Sequence, residues 1–295
     1  MNTNNAIMKD YVIATDSGAD LPYDLMEREG IMCADLTLYF EATGEKYSNR
    51  EVRPKELYER LRNGEIAKTS AVNPEEFREA FEPVIKSGKD ILYIGLDSAI
   101  STTYGSARIA AESLNDEYSE NRIVVIDTLC ACGGLGLLVY EAVKLKKGGA
   151  GLDEIANAVM KLAPKVSHRF TVETLTYLNR GGRVSKSSCV VGNVLNIKPV
   201  LRVDDAGYLV STGKARGRRK SIEMLVDAYE NTADNSSLCT TVISHADCID
   251  DARKLANILK EHFNVKDILI TDIGPVIGAH AGPGTLALFY KASAR

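Results

Sequence analysis

Near its end the chain reads GPVIGAHAGPG (274–284), which sets His280, one of only four histidines, among four glycines and two prolines. Imidazole is the side chain whose charge changes near neutral pH and which can both donate and accept a proton. So many helix breakers predict a turn, with His280 off any regular helix and the strand TLALFY following. The other candidates are short hydroxyls. KTSAVNP (68–74) carries Thr69 and Ser70, and DSAISTTYGS (97–106) carries Ser98, Ser101 and Thr102. Serine and threonine meet an oxygen with compact donors, and a helix expected to begin near Ser101 adds free N–H groups, a combination that favours an anion. The same residues also serve as helix caps and turn formers. Arg183, flanked by glycines in GGRVS, reads equally as a turn arginine or an anion clamp. KARGRRK (214–220), five basic residues in seven, reads as a solvated loop.

These residues need a scaffold, and the first half alternates strands with helices. YVIATD (11–16), IMCADLTLYF (31–40), ILYIGL (91–96), RIVVID (122–127) and SHRFTVE (167–173) read as strands. Helices are expected at 21–29, with Asp20 as its cap, and at 53–64, 73–88, 102–118, 134–147 and 152–163. Asn73, Pro74 and Glu76 supply a capping box with a first-turn proline. Apolar runs separated by helices indicate a parallel sheet covered on both faces. The second half opens with a hairpin, 198–215, and continues as helix 219–231, strand 238–246, helix 250–263 and strand 267–274. The fold class is therefore α/β in two domains: residues 1–175 with a parallel sheet and 176–295 with a mixed sheet, a ligand lying between them. In open parallel sheets ligands bind beyond the carboxyl ends of the strands, and the hydroxyl-rich loops follow those ends.

Composition narrows the function. A net charge of −4 argues against nucleic acid as a partner. Residues 273–290 carry no formal charge, but their glycines and prolines rule out a membrane span. The first ten residues have no apolar signal region, and the six cysteines follow no secreted spacing, so a cytoplasmic protein with reduced thiols is expected. There is no GxxxxGK[ST] loop and no GxSxG elbow. GGLGLLVYE (133–141) is half of a dinucleotide fingerprint, with Val139 where the third glycine belongs. Gly134 and Gly136 are read as sites of close helix–sheet packing. CAC (130–132) and HADC (245–248) are too sparse for a metal site.

Six segments in order resemble the DegV family, bacterial fatty-acid-binding proteins that serve fatty acid kinase. DSGADLP (16–22) is similar to DSxxDLP, KTSAVNPEEF to TSxxxPxxF, and SAISTTYGSA to SxLSGTYxSA. TLTYLNRGGRVS (174–185) is similar to TLxYLxxGGRIS, NIKPVL (196–201) contains the counterpart of IKPIL, and GPVIGAHAGPG matches GPVIGTHxGPG. The resemblance spans about residues 11–290 and implies a carrier with no phosphoryl-transfer motif, not an enzyme. A long-chain fatty acid would lie with its tail in a buried tunnel and its carboxylate held by Thr69, Ser70, Ser98, Ser101, Thr102 and His280. Arg183 would stand near the carboxylate, where the fatty acid kinase must reach. No cofactor besides the bound fatty acid is implied. Two positions depart from the pattern: Thr102 replaces a glycine and Ala279 a threonine. Two other readings remain. One is an acyl hydrolase with Ser98 as nucleophile, His280 as base and Asp16 as orienter. The other is a module that senses a small anion and needs no apolar tunnel.

Overall fold

The computed structural model describes residues 9–184, 196–234 and 239–293. Strands β1 (Tyr11–Asp16), β2 (Met32–Ala34), β6 (Asp90–Gly95) and β7 (Ile123–Asp127) form a parallel sheet in the order β2-β1-β6-β7. Its register sets Ala14 beside Met32 and Tyr93 beside Val125. Helices α1 (Tyr23–Arg28), α3 (Pro74–Lys86) and α4 (Thr103–Glu117) belong to this half. The expected capping box opens α3: Glu76 N donates to Asn73 Oδ1 at 3.0 Å and Asn73 N to Glu76 Oε2 at 2.7 Å.

The expected strand 31–40 is two strands. Its second part, β3 (Thr37–Phe40), leaves the parallel sheet after Asp35 and Leu36. It pairs antiparallel with β4 (Lys46–Ser48) and β5 (Ala67–Ser70) in a small separate sheet. The helix between them, α2 (Pro54–Arg62), starts at a proline as expected.

The second sheet is mixed. It runs β10-β9-β8-β13-β11-β12, from β8 (Val166–Thr171), β9 (Ile197–Val203), β10 (Leu209–Arg216), β11 (Thr241–His245), β12 (Ile268–Asp272) and β13 (Leu286–Lys291). The strand at 167–173 was expected as the fifth of the parallel sheet. It lies here instead, antiparallel to both β13 and β9. Helices α8 (Arg218–Thr232) and α9 (Ile249–Phe263) pack on the outer face with their own apolar cluster around Leu225, Leu255 and Leu259. The basic run is the end of β10 and the start of α8, where Arg218 pairs with Asp251 and Arg219 with Glu223.

Helix α5 (Gly133–Lys147), followed by α6 (Leu152–Leu162), joins the halves. Leu135, Leu137, Leu138, Val139 and Ala142 of α5 are fully buried. The glycines at its start allow close contact: Gly134 packs on the sheet at β8, as expected, whereas Gly136 meets Ala19 in the turn after β1. A Cβ on Gly133 would lie 2.5 Å from Ser244 Oγ, one on Gly134 would strike the His168 ring, and one on Gly136 would lie 2.6 Å from Ala19 O. One apolar core consequently runs from the first sheet through α5 to β8, β9 and β13.

The C-terminal GPVIGAHAGPG segment is not a turn. Pro275–Ala281 form a short helix, α10, and His280 lies in its last turn. Pro275 occupies the first helical position, where its missing N–H costs nothing, and Gly282, at φ 79°, ends the helix. The breakers therefore delimit a helix instead of preventing one.

Candidate functional site

Between the two sheets lies a cavity of about 100 Å³. Its walls are mainly apolar. Leu36, Leu96 and Ala131 line it from the first half, following β2, β6 and β7. It thus opens beyond the carboxyl ends of the parallel strands, as expected. Phe170, Val203, Leu209, Ala287 and Phe289 line it from the second sheet, and Val276 and Ile277 from α10. Two polar wall residues are engaged in the fold. His168 bonds Val166 O through Nδ1 at 3.0 Å and accepts Ala131 N at Nε2, 3.3 Å away. Thr285 donates to Ala281 O or Gly282 O, each 2.9 Å away.

Four further polar residues line the cavity from four separate segments: Thr69 of β5, Ser101 before α4, Arg183 after α7 (Thr176–Gly181) and His280 of α10. Thr69 Oγ1 and His280 Nε2 are 2.8 Å apart. The glycines of GGR explain how Arg183 and His280 can be neighbours. Gly181 leaves the space the imidazole occupies, since a Cβ there would collide with the ring. Gly182 takes φ 69° and ends α7, turning the chain so that Arg183 N donates to Leu178 O at 3.1 Å. The guanidinium then folds back, donating from Nε to Ile100 O at 3.2 Å and from a terminal amine to Gly181 O at 2.5 Å. That brings it beside the segment carrying Ser101.

Burial, with the Arg183 charge adding to it, pushes the His280 imidazole down to about 4. The ring is therefore neutral near pH 7, and Arg183 is the fixed positive charge of the group. Ser101 lies just before the N-cap of α4, Thr102: its Oγ accepts Thr103 N at 3.2 Å and lies 2.9 Å from Thr103 Oγ1.

The remaining candidates stand elsewhere. Ser70, Ser98 and Thr102 are exposed and are not among the cavity-lining residues. On β5, Thr69 and Ser70 necessarily face opposite ways. Thr102 sits at φ −80°, ψ −2°, a conformation open to a branched residue, so the loss of the glycine is accommodated without left-handed backbone. The residues read as a hydrolase set do not converge. Asp16 accepts from Tyr93 Oη at 2.5 Å, Leu96 N at 2.9 Å and Gly18 N at 2.9 Å, and His280 bonds Thr69. Among the described residues no group of three or more His, Cys, Asp or Glu is placed to hold a metal. No described helix is long and apolar enough to cross a membrane.

Sequence reasoning passed over His168, Phe170 and Phe289. The alternation in SHRFTVE was the available signal, since residues 168 and 170 share a face of β8. It also gave Asp20 the wrong partner. No side chain caps α1, and Asp20 Oδ1 accepts Gly274 N, at the start of α10, at 2.9 Å.

The sequence profile of the DegV family, described as uncharacterised proteins, matches residues 10–293. A DegV domain-containing protein of Clostridium perfringens is 45% identical over 289 residues, 96% of this chain and 98% of its own. A solved DegV lipid-binding protein from Thermotoga maritima is similar with a TM-score of 0.84 at 31% identity, covering 97% of this chain and 99% of that one. The structure of a fatty-acid-binding DegV family protein from Thermus thermophilus gives 0.83 at 28% identity, with 96% and 100% covered. From its two α/β halves to the sequence that lines the cleft between them, the chain belongs to the DegV family.

Proposed function

We propose that this protein is a carrier that binds a long-chain fatty acid between its two halves and presents the carboxylate to a fatty acid kinase. The observation that carries the reading is the pairing of an apolar cavity with Thr69, Ser101, Arg183 and His280, drawn from four segments of the chain. An acyl chain gains about 0.8 kcal/mol for each methylene it buries, so ~14 methylenes gain roughly 11 kcal/mol at most before ordering costs. That gain requires an enclosed apolar space, which Phe170 and Phe289, on the neighbouring strands β8 and β13, begin to supply.

A carboxylate entering such a site loses its water and must be met by donors. Ser101 offers a hydroxyl, and the bonded pair of Thr69 and neutral His280 offers one further proton, from the hydroxyl or from the ring according to the tautomer. Arg183 balances the charge from the edge. Held this way the head group stays at the end of the cavity, within reach of a kinase that brings its own nucleotide. The kinase assignment and the extension of the cavity into a tunnel follow from the family resemblance. So does a location in the cytoplasm. The fatty acid is then the ligand, no further cofactor is needed, and the phosphoryl transfer belongs to the partner.

The test is direct. The protein is expressed in bacteria, purified and denatured, and the organic extract is analysed by mass spectrometry. A long-chain fatty acid at near-stoichiometric amount is expected, falling sharply in the Thr69→Ala, His280→Ala double variant. An empty extract, even after incubation with a mixed fatty acid pool, overturns the reading.

A further inference from the structure

Helix α10 has seven residues, too few to hold itself together. Its first N–H groups have no partners within the helix, and Pro275 removes one of them. The two on either side of that proline are met from the other half of the molecule. Gly274 N donates to Asp20 Oδ1 at 2.9 Å, and Val276 N donates to Asn49 Oδ1 at 2.9 Å. Tyr58, fully buried, donates to Ile273 O at 2.6 Å just before the helix. The opposite end is tied by its own half through Thr285. The first half thus sets where α10 begins, and the second sets where it ends.

Asp20 is unusual for this duty. It is a buried carboxyl in the left-handed region, at φ 50°, with the Cys132 thiol as a hydrogen-bonding neighbour besides Gly274 N. Asn49, with both its side-chain oxygen and nitrogen bonded, shows that an amide would also serve. His280 lies six residues beyond Gly274, about 9 Å along a helix, so a small tilt at the N-terminus moves the imidazole off Thr69.

We infer that Asp20 is a positioning residue of the head-group site: together with Asn49 it fixes the start of α10 and so holds His280 against Thr69. Its effect on affinity rests on the fatty-acid reading, but its effect on His280 does not. Burial raises the Asp20 carboxyl to about 7, and Cys132, Asp16, Asp272 and Tyr58 are titratable groups around it. Asn at position 20 keeps the acceptor for Gly274 N and removes the charge, whereas Ala removes both.

The experiment follows the histidine rings of ligand-free protein by NMR between about pH 5 and 8, and measures fatty acid affinity by displacement of a fluorescent fatty acid. In the wild type and in Asp20→Asn, His280 is expected to stay neutral throughout, with affinities within about twofold of each other. In Asp20→Ala, His280 is expected to titrate within that range and affinity to fall about tenfold. The His168 signals, from a buried ring remote from α10's N-terminus in sequence, report that the fold is intact. Should Asp20→Ala not fold, Asn49→Ala is read in the same way. An alanine variant that folds with His280 still neutral overturns the inference, whatever its affinity. If the wild type binds no fatty acid, the carrier reading fails, and the NMR comparison still decides the role of Asp20.

Discussion

Thr69 and His280 are 211 residues apart in the chain and 2.8 Å apart in the fold. The bond crosses from the small sheet of the first half to a helix inserted between strands of the second, so it reports the closure of one half on the other. Its loss has a defined size. Thr69→Val keeps the shape of the side chain and removes the hydroxyl, leaving a half-buried ring nitrogen short of a partner. A buried polar atom without a partner costs about 1–3 kcal/mol. Fatty acid affinity is expected to fall by about tenfold or more, read by displacement of a fluorescent fatty acid. Unchanged affinity would remove Thr69 from the head-group set.

Arg183 sets the charge of the site. Its guanidinium helps keep His280 neutral, so Arg183→Gln is expected to raise the pH at which the ring of the ligand-free protein takes up a proton. Affinity should fall at the same time, because the fixed cation that balances a carboxylate is gone. The two effects are measured together, by histidine NMR and by ligand displacement at pH 7. Weaker binding with an unmoved His280 would mean that Arg183 does not act at the head group.

Asp20 gives the protein a pH dependence with a definite sign. Its pKa is higher folded than unfolded, so ionising the folded protein costs more than ionising the unfolded chain. The stability it contributes is full below about pH 3.8, is lost as pH rises, and is gone once pH passes about 7. Asp20→Asn removes that loss. Denaturant unfolding should show the variant gaining on the wild type from pH 4 to pH 7, with a constant difference above that. A difference that shrinks as pH rises would contradict the assignment.

Gly181 is expected to tolerate no side chain. A methyl group there overlaps the His280 ring, so either the imidazole or the end of α7 must move. Overpacking of this kind costs about 1–3 kcal/mol. Gly181→Ala should lower the melting temperature and weaken fatty acid binding together, and a thermal melt with and without fatty acid separates the two. A variant that matches the wild type in both would show that the ring has room.

Much of the protein was legible locally. The capping box of Asn73 and Glu76, the proline starts of α2 and α3 and the period of the buried strands all express short-range rules. These depend on residues two to four apart, and the sequence by itself settles them. It also showed which loops carry hydroxyls and, through the order of six motifs, which family the chain belongs to. The tertiary structure decided everything that depends on distant partners. Strand β8 follows six helices, α1 to α6, yet it pairs with β9 and β13, because register is chosen by whichever strands can cover its buried face. Helix α10 exists although its sequence is full of breakers, because Asp20, Asn49 and Thr285 supply from outside the bonds that so short a helix cannot make. Thr69 and Ser101 line the cavity while Ser70, Ser98 and Thr102 do not. Composition cannot separate them, since the difference lies in which way each side chain faces once the halves have closed.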